Sequence, residues 1–379
     1  MSTFIQVDEA AGRITLVRED SSVELSPLWL RERSPDPDQC DPVTRQRLFD
    51  PHRLPDDLAL TSIRSDGDTL ELGFSDGYCG RFSTAALLAD VAADGGLPDP
   101  VAWTAEQPPA FTFDWPPVRA GGPAFLEALE AFLTNGVVKL RKTPVEPGTI
   151  LDVAGHFGWV RETNFGRLFE VTSRPASNDL AYRPVPLGPH TDNPYREPVP
   201  GIQILHCLVN ETSGGLSTLV DGLAVSEALK AEDADGYALL ATEPVGFHFA
   251  DVEAEHYARR PIIHLDRDGV FEGIHYSPRL DRTPVLDPAT MKRFHHARRR
   301  LGELLTDPRY ELRFPLHPGE LVMFDNNRVL HGRTGFDPSE GARHLQGCYI
   351  DREGPRSHYR VQRRRAPQTE EGKADRCKP

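Results

Sequence analysis

The chain has 379 residues and a formal net charge of -14, from 43 Lys and Arg against 57 Asp and Glu, with 39% hydrophobic and 26% charged residues. That balance excludes a disordered or membrane-embedded chain, opposes a nucleic-acid polyanion as partner, and leaves length for two domains or one elaborated barrel. No apolar run approaches membrane-spanning length, the start MSTFIQVDEAAGRITLV lacks a basic segment followed by an apolar core, and five cysteines (Cys40, Cys79, Cys207, Cys348, Cys377) form no CxxC pair and leave one over, so a cytoplasmic protein with reduced thiols is expected.

Residues 1–105 alternate short β-type runs with turns: GRITLVRED, SSVELSPLWL, DTLELGF and SDGYCGRFS, with Asp76-Gly77 marking a turn. A small β-rich N-terminal domain is expected there. The stretch GGLPDPVAWTAEQPPAFTFDWPPVRAGGP is too dense in Pro and Gly for a long helix or central strand, and predicts a semi-rigid linker over 106–122 packed by Trp103 and Trp115. Residues 123–366 then read as a second domain. PAFLEALEAFLTNG spaces Phe125, Leu126, Leu129, Phe132 and Leu133 as an amphipathic helix stopped by Asn135-Gly136, and VVKLRK follows as a strand. Strand-like runs (GIQILHCLV, STLVDG, RPIIHLD, ELVMFDN, RHLQGCYI) mix with helical ones (AVSEALKAEDADGYALLA, DPATMKRFHHARRRLGELLTD) without a repeat period, which fits a β-sandwich or barrel flanked by helices. The basic cluster Arg360 to Arg365 leads into a tail, 367–379, and reads as a solvated or frayed end.

Fourteen histidines make any single one uninformative, but His190 and Asp192 in PLGPHTDNPY are separated by one residue. On a β-strand such positions point to one face, so imidazole and carboxylate would converge on one ion. His331 is the candidate third ligand: in GELVMFDNNRVLHGRTGF an apolar strand runs through a polar turn and returns, which would bring His331 beside His190. Two histidines and a carboxylate on one face of an octahedral ion leave three positions open, as in non-haem Fe(II) oxygenases; a zinc hydrolase uses similar ligands. Twelve residues further, Arg343 opens another apolar run, where a buried guanidinium would clamp a carboxylate in bidentate fashion. A 2-oxo acid chelating the ion needs such an arginine one molecule's length away.

With WLRER near Trp29, AYRPVPLGPHTDNPY, PVPGIQILHCL, TSGGLSTLVDG, FDNNRVLHGRTGF and ARHLQGCYIDRE, the chain resembles the 2-oxoglutarate-dependent dioxygenases of the γ-butyrobetaine and trimethyllysine hydroxylase type, in the taurine-dioxygenase-like group, over nearly its whole length to about Arg360. The resemblance implies a mainly β fold with flanking helices: a double-stranded β-helix (jelly-roll) catalytic domain beside the small N-terminal one. It also implies Fe(II) on His190, Asp192 and His331, 2-oxoglutarate anchored by Arg343 with Ser217 assisting, and a homodimer. The implied reaction is hydroxylation of an unactivated C-H, with O2 consumed and succinate and CO2 released.

Relatives of this type bind a trimethylammonium head in an aromatic cage, which suits a cation with no N-H to donate. Here the matching positions are Phe165, Phe169, Tyr182 and Tyr349. The structural zinc that γ-butyrobetaine hydroxylases carry on three clustered cysteines and a histidine finds only Cys40 in the cluster, so zinc binding in the N-terminal domain is not expected. At the substrate's anionic end, Asp179 and Ser277 stand where amides hold a carboxylate in γ-butyrobetaine hydroxylases. Asp179 disfavours a bare carboxylate and suits the α-ammonium of trimethyllysine. Ser277 with Arg279 would suit a phosphonate such as 2-(trimethylammonio)ethylphosphonate. Three substrates therefore stay open, and a non-catalytic trimethylammonium-binding homologue and a metal hydrolase using the same triad are the other classes of protein to weigh.

Overall fold

The computed structural model describes residues 3–18, 21–91, 96–172 and 185–365. Two units divide between Gly96 and Leu97. In the first, β1 (Phe4–Asp8), β2 (Arg13–Arg18) and β3 (Ser21–Glu24) form one antiparallel sheet, and β4 (Leu60–Ser65), β5 (Thr69–Phe74) and β6 (Cys79–Ser83) another. The short helix α1 (Pro27–Arg31) and α2 (Thr84–Val91) accompany them, over a core that includes Ile14, Leu30, Leu70, Leu72, Phe74 and Phe82. The loop after WLRER, the place of the family's cysteine cluster, is organised around Arg31. Its Nε donates to Asp76 at 2.9 Å, a second nitrogen donates to Gln39 at 3.0 Å, and the guanidinium lies 4.0 Å from the Tyr78 ring and 4.7 Å from Phe49. The Tyr78 hydroxyl in turn donates to Asp36 at 2.6 Å.

The Pro-rich stretch is part of the second unit. Within it, β7 (Thr112–Asp114) pairs in parallel with β8 (Val137–Arg141), α3 (Trp115–Ala120) follows, and Trp103 and Trp115 are buried. The helix expected next forms as α4 (Pro123–Asn135), and Gly136 ends it at φ 73°, a left-handed conformation that few other residues adopt cheaply. After α5 (Thr149–Phe157) come β9 (Val160–Arg161), β10 (Phe169–Thr172), β11 (Leu187–His190), β12 (Ile202–Asn210), β13 (Ser217–Asp221) and α6 (Gly222–Glu232). The long helical run AVSEALKAEDADGYALLA is two helices, because the Asp233 carboxylate accepts from Gly236 N-H and starts α7 (Ala234–Thr242) afresh.

Two small accessory sheets, β14 (Val245–Ala250) with β15 (Glu255–Arg260) and β18 (Asp281–Arg282), and β16 (Ile263–Leu265) with β17 (Phe271–Ile274), pack with α6, α7 and α8 (Pro288–Leu305). Then follow β19 (Glu311–Phe314), β20 (Leu321–Asp325), β21 (Val329–Arg333), β22 (Arg343–Ile350) and α9 (Glu353–Arg365). Among the described residues no helix is long and apolar enough to cross a membrane.

The major sheet runs β10-β22-β12-β20-β8-β7, and a minor one β11-β21-β13-β19. Strand alternation sorts the major sheet's side chains between two cores. Val138, Leu140, Ile202, Ile204, Leu321, Met323, Cys348 and Ile350 meet α4 and α5, whereas Val137, Cys207, Val322, Phe324 and Leu345 meet Leu219 and Val329 of the minor sheet. Both faces of the major sheet are thus covered, and the space between the sheets holds the candidate site.

A buried ion pair closes one end of this arrangement. Arg328 donates to both oxygens of Asp221, at 2.9 and 3.0 Å, and to the carbonyls of Thr134 (2.7 Å) and Val101 (2.6 Å). Asp221 also accepts from the N-H groups of Trp103 and Leu223, the latter as the N-cap of α6. Every charged atom is paired, which is the condition under which burying two charges is tolerable. Arg328→Met is expected to destabilise the protein by about 3–5 kcal/mol in urea unfolding, since it strands the Asp221 carboxylate, and adding Asp221→Asn should recover part of that loss.

Candidate active site

His190 ends β11 and His331 lies in β21, and the two are direct cross-strand partners with ring centroids 4.3 Å apart. The return of the DNN turn therefore does what the sequence predicts. Asp192 reaches the pair by a different route from strand alternation. It lies beyond the end of β11, in a turn whose next residue, Asn193, has φ 52°. What fixes it is the Asn326 side chain, whose oxygen accepts Asp192 N-H at 2.7 Å while its nitrogen donates to the carbonyls of Asp192 (2.9 Å) and Pro200 (3.0 Å). The result puts Asp192 Oδ1 3.4 Å from His190 Nε2 and 3.8 Å from His331 Nε2, with one ligand atom from each residue all within 4.8 Å of one another.

The protonation states suit a metal. His190 Nδ1 faces the Gly188 carbonyl at 3.0 Å, which can only accept, so Nδ1 is the nitrogen that carries a proton and Nε2 is the one turned toward the other ligand atoms. Burial, and then neighbouring His190, pulls the pKa of His331 down to about 3, so its ring is neutral. Burial pushes Asp192 the other way, but His331, His190 and the Tyr349 hydroxyl outweigh it and hold the carboxyl below its ordinary range. Two imidazoles, that of His331 neutral, and an ionised carboxylate grouped within 4.8 Å of one another fit a divalent iron.

Arg343, the first residue of β22, is buried, and its Nε has no hydrogen-bond partner; one terminal nitrogen reaches the Gly215 carbonyl at 3.4 Å. Gly215 is needed there, because a Cβ would sit 2.9 Å from that Nε. Burial lowers the guanidinium pKa from its ordinary value, yet it remains the kind of cation whose fork a carboxylate would complete. Ser217, two residues past Gly215, is buried at the start of β13.

Of the expected cage residues, the structure brings Phe169 and Tyr349 together, with ring centroids 5.3 Å apart. Gly347 makes this possible, since a Cβ on it would lie 2.3 Å from the Phe169 ring. Tyr349 is also a neighbour of the metal-capable group, its hydroxyl donating to Asp192 Oδ2 at 2.7 Å, and burial and then Asp192 hold its pKa well above the ordinary value. Phe165 is at the surface and packs edge-on against Phe249 (6.0 Å), which stacks on buried Tyr195 (5.0 Å). Tyr195 and Asn193, joined by a 2.5 Å hydrogen bond, and Asn326 are site residues that the sequence reading passed over although they lie in the quoted motifs HTDNPY and FDNNRVLHGR. Ser277 is buried, its carbonyl accepting from Leu280 and Asp281, and Arg279 is close enough to His331 to add to the lowering of its pKa. Tyr182 and Asp179 lie outside the described residues.

A two-sheet β domain that presents this donor set and a buried arginine has what an Fe(II)- and 2-oxoglutarate-dependent dioxygenase requires. Residues 97–349 match the taurine catabolism dioxygenase TauD, TfdA family, and the chain belongs to that family and is such a dioxygenase. It is 35% identical over 334 residues to a gamma-butyrobetaine dioxygenase of Pseudomonas sp. (strain AK-1), covering 86% of this chain and 87% of the relative. It is 31% identical over 225 residues to a trimethyllysine dioxygenase of Meyerozyma guilliermondii, covering 58% and 55%. A taurine dioxygenase structure from Burkholderia xenovorans superposes with a TM-score of 0.50 at 17% identity, over 68% of this chain and 93% of that one.

Replacing Arg343 with Ala should raise the 2-oxoglutarate concentration for half-maximal O2 consumption by roughly two orders of magnitude, the usual cost of a lost buried charge-assisted pair. An unchanged requirement would move the role to Arg333.

Proposed function

We propose that this dioxygenase hydroxylates a C-H of a small trimethylammonium zwitterion within a double-stranded β-helix domain. His190, Asp192 and His331 hold the iron, Arg343 holds the distal carboxylate of 2-oxoglutarate with Ser217 nearby, and the rings of Phe169 and Tyr349 face the quaternary ammonium, joined by Tyr182 and Phe165. The observation that carries this reading is that Tyr349 both pairs with Phe169 and touches Asp192, so an aromatic surface begins one hydrogen bond from the metal-capable group. The named activities of the gamma-butyrobetaine and trimethyllysine dioxygenases support it.

Iron and 2-oxoglutarate supply the activation of O2, with 2-oxoglutarate oxidised to succinate and CO2. The protein's own part is placement. Ring faces attract a cation that cannot donate hydrogen bonds, so they fix the head group by shape and quadrupole and leave one carbon next to the metal. A shift of about 1 Å in that carbon costs orders of magnitude in rate, which makes the cage part of the catalyst although it does no chemistry. Asp179, Ser277 and Arg279 belong to the anionic end, where γ-butyrobetaine, trimethyllysine and 2-(trimethylammonio)ethylphosphonate differ. The proposal includes a homodimer.

The deciding experiment is anaerobic titration of the Fe(II)·2-oxoglutarate protein with the three compounds, following the metal-to-ligand charge-transfer band. The substrate should shift that band and trigger 2-oxoglutarate-dependent O2 uptake; no shift with any of the three rejects the trimethylammonium reading. Phe169→Leu, which keeps apolar bulk and removes a π face, should weaken substrate binding by about 1 to 2 kcal/mol while leaving a tert-butyl isostere nearly unaffected. Equal losses for both ligands would make Phe169 ordinary packing.

A further inference from the structure

We infer that Tyr349 and Asn326 are positioning residues that present Asp192 to the metal through one oxygen, Oδ1, and withhold the other. Asp192 has four polar groups. Asn326 engages the N-H at 2.7 Å and the carbonyl at 2.9 Å, and Tyr349 donates to Oδ2 at 2.7 Å. Oδ1 alone has no donor from these residues, and it is the atom that faces the two imidazole Nε2 atoms at 3.4 and 3.8 Å. Asp192 sits in a turn past the end of β11, so its backbone groups have no sheet ladder to fix them, and a single buried carboxamide takes that place.

The consequence concerns coordination number. For the carboxylate to chelate with both oxygens it would have to turn so that Oδ2 also faced the imidazoles, which would pull Oδ2 out of line with the buried Tyr349 hydroxyl that donates to it. With Oδ2 held by Tyr349, Asp192 would take one position on a bound ion, and the two imidazoles one each, which would leave room for a two-point 2-oxo acid chelate and O2. Asn326 lies in the turn between β20 and β21, five residues before His331. It therefore ties the carboxylate's loop to the turn that leads into the strand carrying the distal histidine. Tyr349 serves two ends: its ring belongs to the proposed substrate surface and its hydroxyl to the ligand.

This inference rests on the reading of Asp192 as a metal ligand, and the test separates the two. The full-length protein is titrated with Co(II) by calorimetry, and the visible d–d spectrum, which reports coordination number, is recorded for wild type, Asp192→Ala, Tyr349→Phe and Asn326→Asp. Tyr349→Phe keeps the ring and loses only the hydroxyl; it should weaken Co(II) by about tenfold and alter the d–d spectrum, as a second carboxylate oxygen takes the place of a solvent ligand. Asn326→Asp, which sets a carboxylate against two carbonyls, should weaken Co(II) by about 10–100-fold, with the metal-free thermal midpoint checking the fold. Co(II) affinity within twofold of wild type together with an unchanged spectrum in Tyr349→Phe overturns the role of Tyr349, and the same result in a folded Asn326→Asp overturns that of Asn326. Wild-type binding by Asp192→Ala would overturn both, and with them the ligand assignment itself.

Discussion

The site hangs from the ion pair of Asp221 and Arg328. Neither charge touches water to any extent, so each is tolerated only because the other, together with four backbone groups, satisfies it. Those backbone groups come from the Pro-rich segment, the end of α4 and the start of α6, so the pair converts three chain segments that share no ladder into one wall. Arg328 stands two residues after Asn326 and three before His331. The guanidinium thus anchors the turn from which one side chain grips the carboxylate loop and another supplies an imidazole. An ion pair of this kind adds little net stability over a well-packed apolar substitute, but it tolerates one arrangement of its neighbours, which is what a metal centre needs.

Much of the chemistry was legible in the sequence because it is carried by residue type and local spacing. The HxD pair and the apolar strand turning through DNN toward His331 named the three residues that the fold brings together, and Arg343 at the head of an apolar run is buried as expected of it. What could not be read was how Asp192 is held. Its two supports are 134 and 157 residues away in the chain, at Asn326 and Tyr349, and period-two patterning tells which face a residue takes without telling which strand lies opposite. The strand alternation invoked for His190 and Asp192 predicts the right neighbours for the wrong reason, since the strand ends at His190. Helix punctuation was partly legible: Asn135-Gly136 stops α4 as expected, whereas Asp233 splits a run of good helix formers because its carboxylate caps a new helix as readily as it tolerates the old one.

The first unit meets the difficulty of small β domains, a core of limited size, with a polar centre under one loop. Arg31 joins an acidic turn, an amide and two aromatic faces, so that cation–π and charge-assisted contacts reinforce one another within a few residues of a partly exposed loop. A planar guanidinium suits this better than lysine, because it stacks and hydrogen-bonds at the same time.

Gly347 carries an implication for how substrate preference diversifies. In β22 the alternate residues Arg343, Leu345, Gly347 and Tyr349 share one face, and the third of them leaves the space into which the Phe169 ring swings. Any side chain at 347, even a methyl, would evict that ring and move its partner contact with Tyr349. Under the proposed reading, then, the breadth of the head-group pocket is written at a position with no atoms to offer the substrate. A lineage changing its quaternary ammonium for a bulkier or slimmer cation would find its shortest path through a glycine codon, with the metal ligands and the arginine left as they are.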